Sequence, residues 1–155
     1  LWSRGLGDVY KRQLGDIVYT EEEINFALEM QRNNGKPELG IDGIIRPLRE
    51  TLESPGGGST DSGDVSYNVP VVSLAATTAP KGVPWHSWSV VASSGMSIGH
   101  KGMLHAAKAL GMTMVDIFKD SKLREDIKKE FDEKIGEYEY DPYLDPGPPP
   151  IDYVD

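Results

Sequence analysis

The chain has 155 residues, enough for one domain with a modest core. Its 16 basic and 25 acidic residues give a net charge of −9, which speaks against nucleic acid or an anionic membrane as a partner, because both need basic patches. With 0 cysteines, disulfides, thiolate metal sites and a cysteine nucleophile are excluded, and the composition is compatible with a cytoplasmic location.

Leu1 to Gln13 reads as foreign to the rest, resembling translated adapter sequence, and is expected to be a non-native or disordered tail. The start lacks the basic-then-apolar layout of a signal peptide, and no apolar run approaches the ~20 residues of a membrane helix. Thr20-Glu21-Glu22-Glu23 reads as a capping box that opens a helix. Ile24, Ala27, Leu28 and Gln31 mark one face of it, and Asn33-Asn34-Gly35 ends it. Lys36 to Ile41 is a loop, and Ile44 to Leu52 reads as a short helix or an irregular segment that Pro47 weakens. Ser54 to Ser59, with its three consecutive glycines, is a loop. Val69 to Thr78 is a dense apolar run of β type and the best candidate for a buried strand.

The periodicity predicts the strongest helix over Gly99 to Phe118, with Met103, Ala107, Leu110, Met114 and Ile117 on its apolar face. Asp120-Ser121 caps a second helix, with Leu123, Ile127, Phe131 and Ile135 one turn apart and Gly136 at its end. Residues 138–155 hold 5 prolines and several acids and read as an extended tail. A strand followed by helices implies part of an α/β layer, with an incomplete sheet.

Candidate chemistry concentrates in two loops. His86 stands between Trp85 and Trp88 after the predicted strand, where aromatic neighbours would favour the neutral, metal-binding imidazole. The alternative is a histidine packed between indoles for structure. Ser59, Thr60, Asp61 and Asp64 lie in a Gly- and Ser-rich loop that can offer carboxylates and backbone N–H groups to a ligand, or can simply form turns. On helical geometry His100 projects near the predicted apolar face, as a capping or core-edge residue, and His105 faces solvent. There is no phosphate-binding Gly-rich motif and no nucleophile elbow.

The segments Gly58-Ser59-Thr60-Asp61, Gly63-Asp64-Val65-Ser66, His86-Ser87-Trp88 and Ser97-Ile98-Gly99-His100-Lys101-Gly102-Met103, in this order and spacing, resemble the C-terminal part of the M20 metallo-amidohydrolases. The subgroup is that of the aminobenzoyl-glutamate utilization protein B. The resemblance covers about Ile17 to Tyr143 and implies an α/β catalytic domain over 14–137, a pair of divalent metals (zinc or manganese) and a glutamate general base. It further implies hydrolysis of p-aminobenzoyl-glutamate or a similar N-acyl amide, and a homodimer or paired subunit. It makes His86 the implied metal ligand and the Ser59 to Ser66 loop a wall of the active site, with Ser59, Thr60, Asp61, Asp64 and His100 as substrate-binding or supporting residues.

The chain departs from that pattern in what it lacks. The family's upstream His-x-Asp motif and adjacent Glu-Glu pair are missing, and Glu21-Glu22-Glu23 is not that pair, because it opens an amphipathic helix. One histidine does not hold a catalytic metal, which generally takes three or more protein ligands. The expectation is a fragment of an amidohydrolase, inactive alone. Two other readings compete: a non-catalytic binding or subunit module that keeps one lobe of the fold, and a stand-alone hydrolase using His86, His100 and Asp61.

Overall fold

The computed structural model describes residues 9–46, 60–142 and 147–148. Residues 9–14 form helix α1. It is followed by α2 (Glu21–Asn33), α3 (Ser62–Asn68), α4 (Trp88–Ser94), α5 (Ser97–Lys119) and α6 (Ser121–Ile135). Among the described residues no helix is long and apolar enough to cross a membrane.

The α/β expectation is overturned, because helix is the one regular secondary structure among the described residues and no strand occurs there. Val69 to Thr78 runs as irregular chain instead. Its exposure alternates from Val71 to Ala76, so it is not the buried run expected. Patterning sets which side chains face inward, but a strand exists only when its backbone finds a ladder, and none of the described segments supplies one. The segment is fixed from the side: the Thr77 hydroxyl donates to Asp42 O at 2.6 Å. Gly102 of α5 lies so close that a Cβ there would stand 2.1 Å from Thr77 O.

Helix α2 begins as the sequence predicts. Glu23 N donates to Thr20 Oγ1 at 3.3 Å and Thr20 N donates to Glu23 Oε2 at 2.7 Å, a complete capping box. It ends at Asn34, followed by Gly35 at φ 62. Its buried face is Glu23, Ala27, Met30 and Gln31, while Ile24 is exposed. Residues 44–46 are irregular, and the rest of the predicted 44–52 element lies outside the described residues.

Buried polar groups tie these pieces together. Gln31 is fully buried and its amide is fully used: Nε2 donates to Gly40 O (2.9 Å) and Lys81 O (2.8 Å), and Oε1 accepts from Gly40 N (2.8 Å). One side chain thus joins α2, the loop after it and the turn before His86. Asp42 makes a second knot. It accepts from Ile44 N at 2.9 Å and pairs with Arg46 and Lys81, while Ile17 N donates to the adjacent Gly43 O at 2.9 Å. The backbone hydrogen bond from Ile44, with help from Arg46 and Lys81 against the cost of burial, brings the Asp42 carboxyl down to about 2.

The face of α5 that packs inward is not the predicted one. Ile98, Gly99, Gly102, His105, Ala109 and Thr113 are buried, while Met103, Leu110, Met114 and Phe118 are exposed. Small residues let α5 approach other backbone closely: a Cβ on Gly99 would fall 2.2 Å from Ser94 O. Larger apolar side chains on that face would hold the backbones apart. At its far end α5 meets α6, where Asp120 Oδ1 accepts from Leu123 N at 3.0 Å as predicted. Arg124 Nη1 donates to the terminal carbonyls Ile117 O (2.8 Å) and Phe118 O (2.9 Å).

Candidate functional site

The turn that presents His86 is built from its neighbours. Val83 is buried and anchors one side, with Gly82 at φ 68 before it. On the other side Ser87 begins α4, but its hydroxyl does not cap the helix and instead donates back to Pro84 O at 2.5 Å. Closing the turn across three residues leaves His86 at φ 60, the left-handed region, where a non-glycine residue is uncommon and costs about 1–3 kcal/mol. Helix α4 is held from beneath by two buried serines: Ser89 Oγ donates to Asn34 Oδ1 at 3.0 Å, and Ser93 Oγ donates to Ser89 O at 2.7 Å. The strained turn therefore rests on a fixed base.

His86 itself is exposed, and so are its neighbours, with Trp85 at 72 % and Trp88 at 60 % exposure. The alternative of a histidine packed between indoles is thus not what the fold builds. Nor do the indoles wrap the imidazole in a dry pocket. Val91, one turn further along α4, is exposed as well.

The second candidate loop is a separate place. Ser59 lies outside the described residues. Thr60 and Asp61 are exposed, and Asp61 makes no side-chain cap to α3. Helix α3 has no buried residue and is held by turns of its own: Ser66 Oγ donates to Gly63 O (2.6 Å) and Asn68 Nδ2 donates to Asp64 O (2.8 Å). Asp64 is engaged by the C-terminal segment, because Tyr140 Oη donates to Asp64 Oδ1 at 2.6 Å. The Tyr140 ring lies at 5.9 Å from that of Tyr67, and Tyr138 lies at 5.0 Å from it on a tilt. The hydrogen bond to Asp64 pushes the Tyr140 hydroxyl up to about 12. Nothing in the composition of the tail indicated this clasp.

His100 is exposed in the first turn of α5, not at the core edge. His105, read from the sequence as facing solvent, is buried. The inversion follows from the rotation of α5 described above, since the small-residue face that packs inward carries His105 with it. Glu23 is the other buried ionisable group of note. Burial would raise its carboxyl, but hydrogen bonds from Lys101, Ser97 and the Thr20 backbone bring it down to about 2. The Lys101 Nζ–Glu23 Oε2 pair, at 2.6 Å, joins α2 to α5.

Among the described residues no three His, Cys, Asp or Glu side chains converge on one point. No hydrogen bond or ion pair joins the Thr60–Asn68 segment to the His86 turn. The described residues therefore do not fit the metal pair that the family resemblance implies: His86 is a single exposed donor without partners.

One known protein shares a stretch of this sequence. The chain is 43% identical over 72 residues to a curated bacterial protein. That relative is a p-aminobenzoyl-glutamate hydrolase subunit from Escherichia coli (strain K12), and the match is partial, taking in 46% of this chain and 15% of the relative's length. No protein-family profile matches the chain, and no solved structure does.

Proposed function

We propose that this chain is part of a hydrolase that cleaves the amide bond of p-aminobenzoyl-glutamate or a similar N-acyl amino acid. The observation that carries the reading is the 43% identity over 72 residues to a component of an enzyme named for that substrate. The His86 turn is the part of the chain best suited to contribute. Its imidazole is exposed, held in a left-handed conformation, and set on a base of buried serines. Local strain maintained by a rigid surround is a recurrent property of functional positions. In this reading His86 is one donor to a divalent metal, zinc or manganese, whose other donors lie beyond the described residues. The exposed indoles beside it form a surface for a further part of the enzyme or a paired subunit, and Thr60, Asp61 and Asp64 stand at a second wall.

The lack of a converging donor set among the described residues favours one other reading, a non-catalytic module that keeps one lobe of an enzyme. The genomic sequence upstream of Leu14 separates the two. A frame that continues through a His-x-Asp motif and an adjacent Glu-Glu pair is the result expected for the hydrolase, since those residues complete the metal site and supply the base. A start codon immediately before Leu14 would overturn it in favour of the module.

A further inference from the structure

We propose that the cavity between the 14–18 segment and α5 binds a small carboxylate that carries an apolar body. The cavity measures about 260 Å³, below the roughly 300–1,000 Å³ of sites for drug-sized ligands. One wall is apolar, with Ile17 and Val18 facing Leu104. The other is polar, with two ammonium groups, and comes from one face of α5, where Lys101, His105 and Lys108 follow at steps of four and three. Of these, Lys101 is already committed, its Nζ bonded to Glu23 Oε2 (2.6 Å) and Val18 O (3.0 Å). Lys108 is exposed and makes no ion pair among the described residues.

His105 is the second, independent sign of a ligand. Its exposure is 9%, and its Nε2 is buried with no hydrogen-bond partner. A buried polar atom left unpaired is rare in folded proteins and costs about 1–3 kcal/mol. In the tautomer that carries its hydrogen on Nε2 the ring donates, and the group that satisfies it is an acceptor. An ammonium lies on the same helical face, and among the described residues no carboxylate lines the cavity. A carboxylate meets both needs, accepting from the Lys108 ammonium at the mouth and from an Nε2–H of His105 after a small rotation of the ring. The apolar wall then covers the rest of the ligand. Burial, together with Lys11 and Lys108, holds the His105 imidazole below its ordinary value, and the same two ammonium groups favour an anion beside it.

This site shares no residue with the His86 turn, so its failure and that of the hydrolase reading are separable. The test is titration of the full chain with benzoate, followed by proton NMR of the three histidine rings. Benzamide serves as the neutral counterpart and inorganic phosphate as an anion without an apolar body. The expected result is a saturable shift of the His105 ring with benzoate and none with benzamide or phosphate at the same concentrations, the His86 and His100 rings staying fixed. Lys108→Gln, a surface change that leaves the helical circular dichroism intact, weakens benzoate about tenfold, and His105→Gln does the same. No saturable shift at His105, an equal response to benzamide or to phosphate, or unchanged affinity in Lys108→Gln would overturn the proposal.

Discussion

Two faces of α5 behave oppositely. One carries Ile98, Gly102, His105, Ala109 and Thr113 and is buried; the other carries Met103, Leu110, Met114 and Phe118 and lies largely in solvent, Phe118 at 76% exposure. Ranking residues by hydrophobicity selects the second face as the core. The fold selects the first, because glycine and alanine allow the helix to touch the backbone of its neighbours. Close approach outweighs side-chain size in deciding which way this helix turns. The buried face also brings polar groups inward, and these have to be satisfied by partners rather than by apolar contact.

The most damaging way to break the contrast is to add volume on the small face. Gly102→Leu would drive a side chain into the backbone at Thr77, and we expect a loss of about 3 kcal/mol in urea unfolding, or no folded protein at all. Removing the Gln31 amide comes next. Gln31→Leu keeps the volume but leaves Gly40 N, Gly40 O and Lys81 O without their partner, with an expected cost of about 2 kcal/mol by the same measurement. On the opposite face Phe118→Ser should change stability by no more than about 0.5 kcal/mol, while making the chain more soluble. If Phe118→Ser proves as costly as Gly102→Leu, the two faces have been assigned the wrong way round.

Acid should act on the buried side in two stages. His105 is held below its ordinary 6.5 by burial, so its contribution is complete above that pH and is lost as pH falls below it, where unfolding takes up a proton. Glu23 and Asp42, both at about 2 in the fold against ordinary values of 4.5 and 3.8, contribute fully above those values and are lost as pH falls from there toward 2. Thermal melting across pH should show both losses, and His105→Gln should remove the first alone.

How much of this is legible in the sequence varies element by element. Helix α2 with its capping box, the end at Asn34-Gly35 and the Asp120 cap of α6 follow from local chemistry, and they stand where that chemistry puts them. The strand over Val69 to Thr78 does not form, since a dense apolar run is a local signal whereas a ladder needs a second segment. The inward turn of His105 is hidden because hydrophobic periodicity ignores a stripe of small residues. That stripe, Gly99, Gly102, Ala106 and Ala109, is the signal present in the sequence. The Tyr140–Asp64 clasp joins residues 76 positions apart and leaves no local trace at all. The exposed, strained setting of His86 depends on the Ser87 hydroxyl turning back to Pro84 instead of capping α4, a choice between two equally local options.

The most direct test of the functional account is the release of p-aminobenzoate from p-aminobenzoyl-glutamate. The assay should compare the product of the whole open reading frame that contains this sequence, its His86→Ala variant and the 155-residue chain alone. The account predicts activity in the first, a loss on the order of a hundredfold or more in the second, and none in the third. Release by the isolated chain, or a His86→Ala variant as fast as its parent, would contradict it.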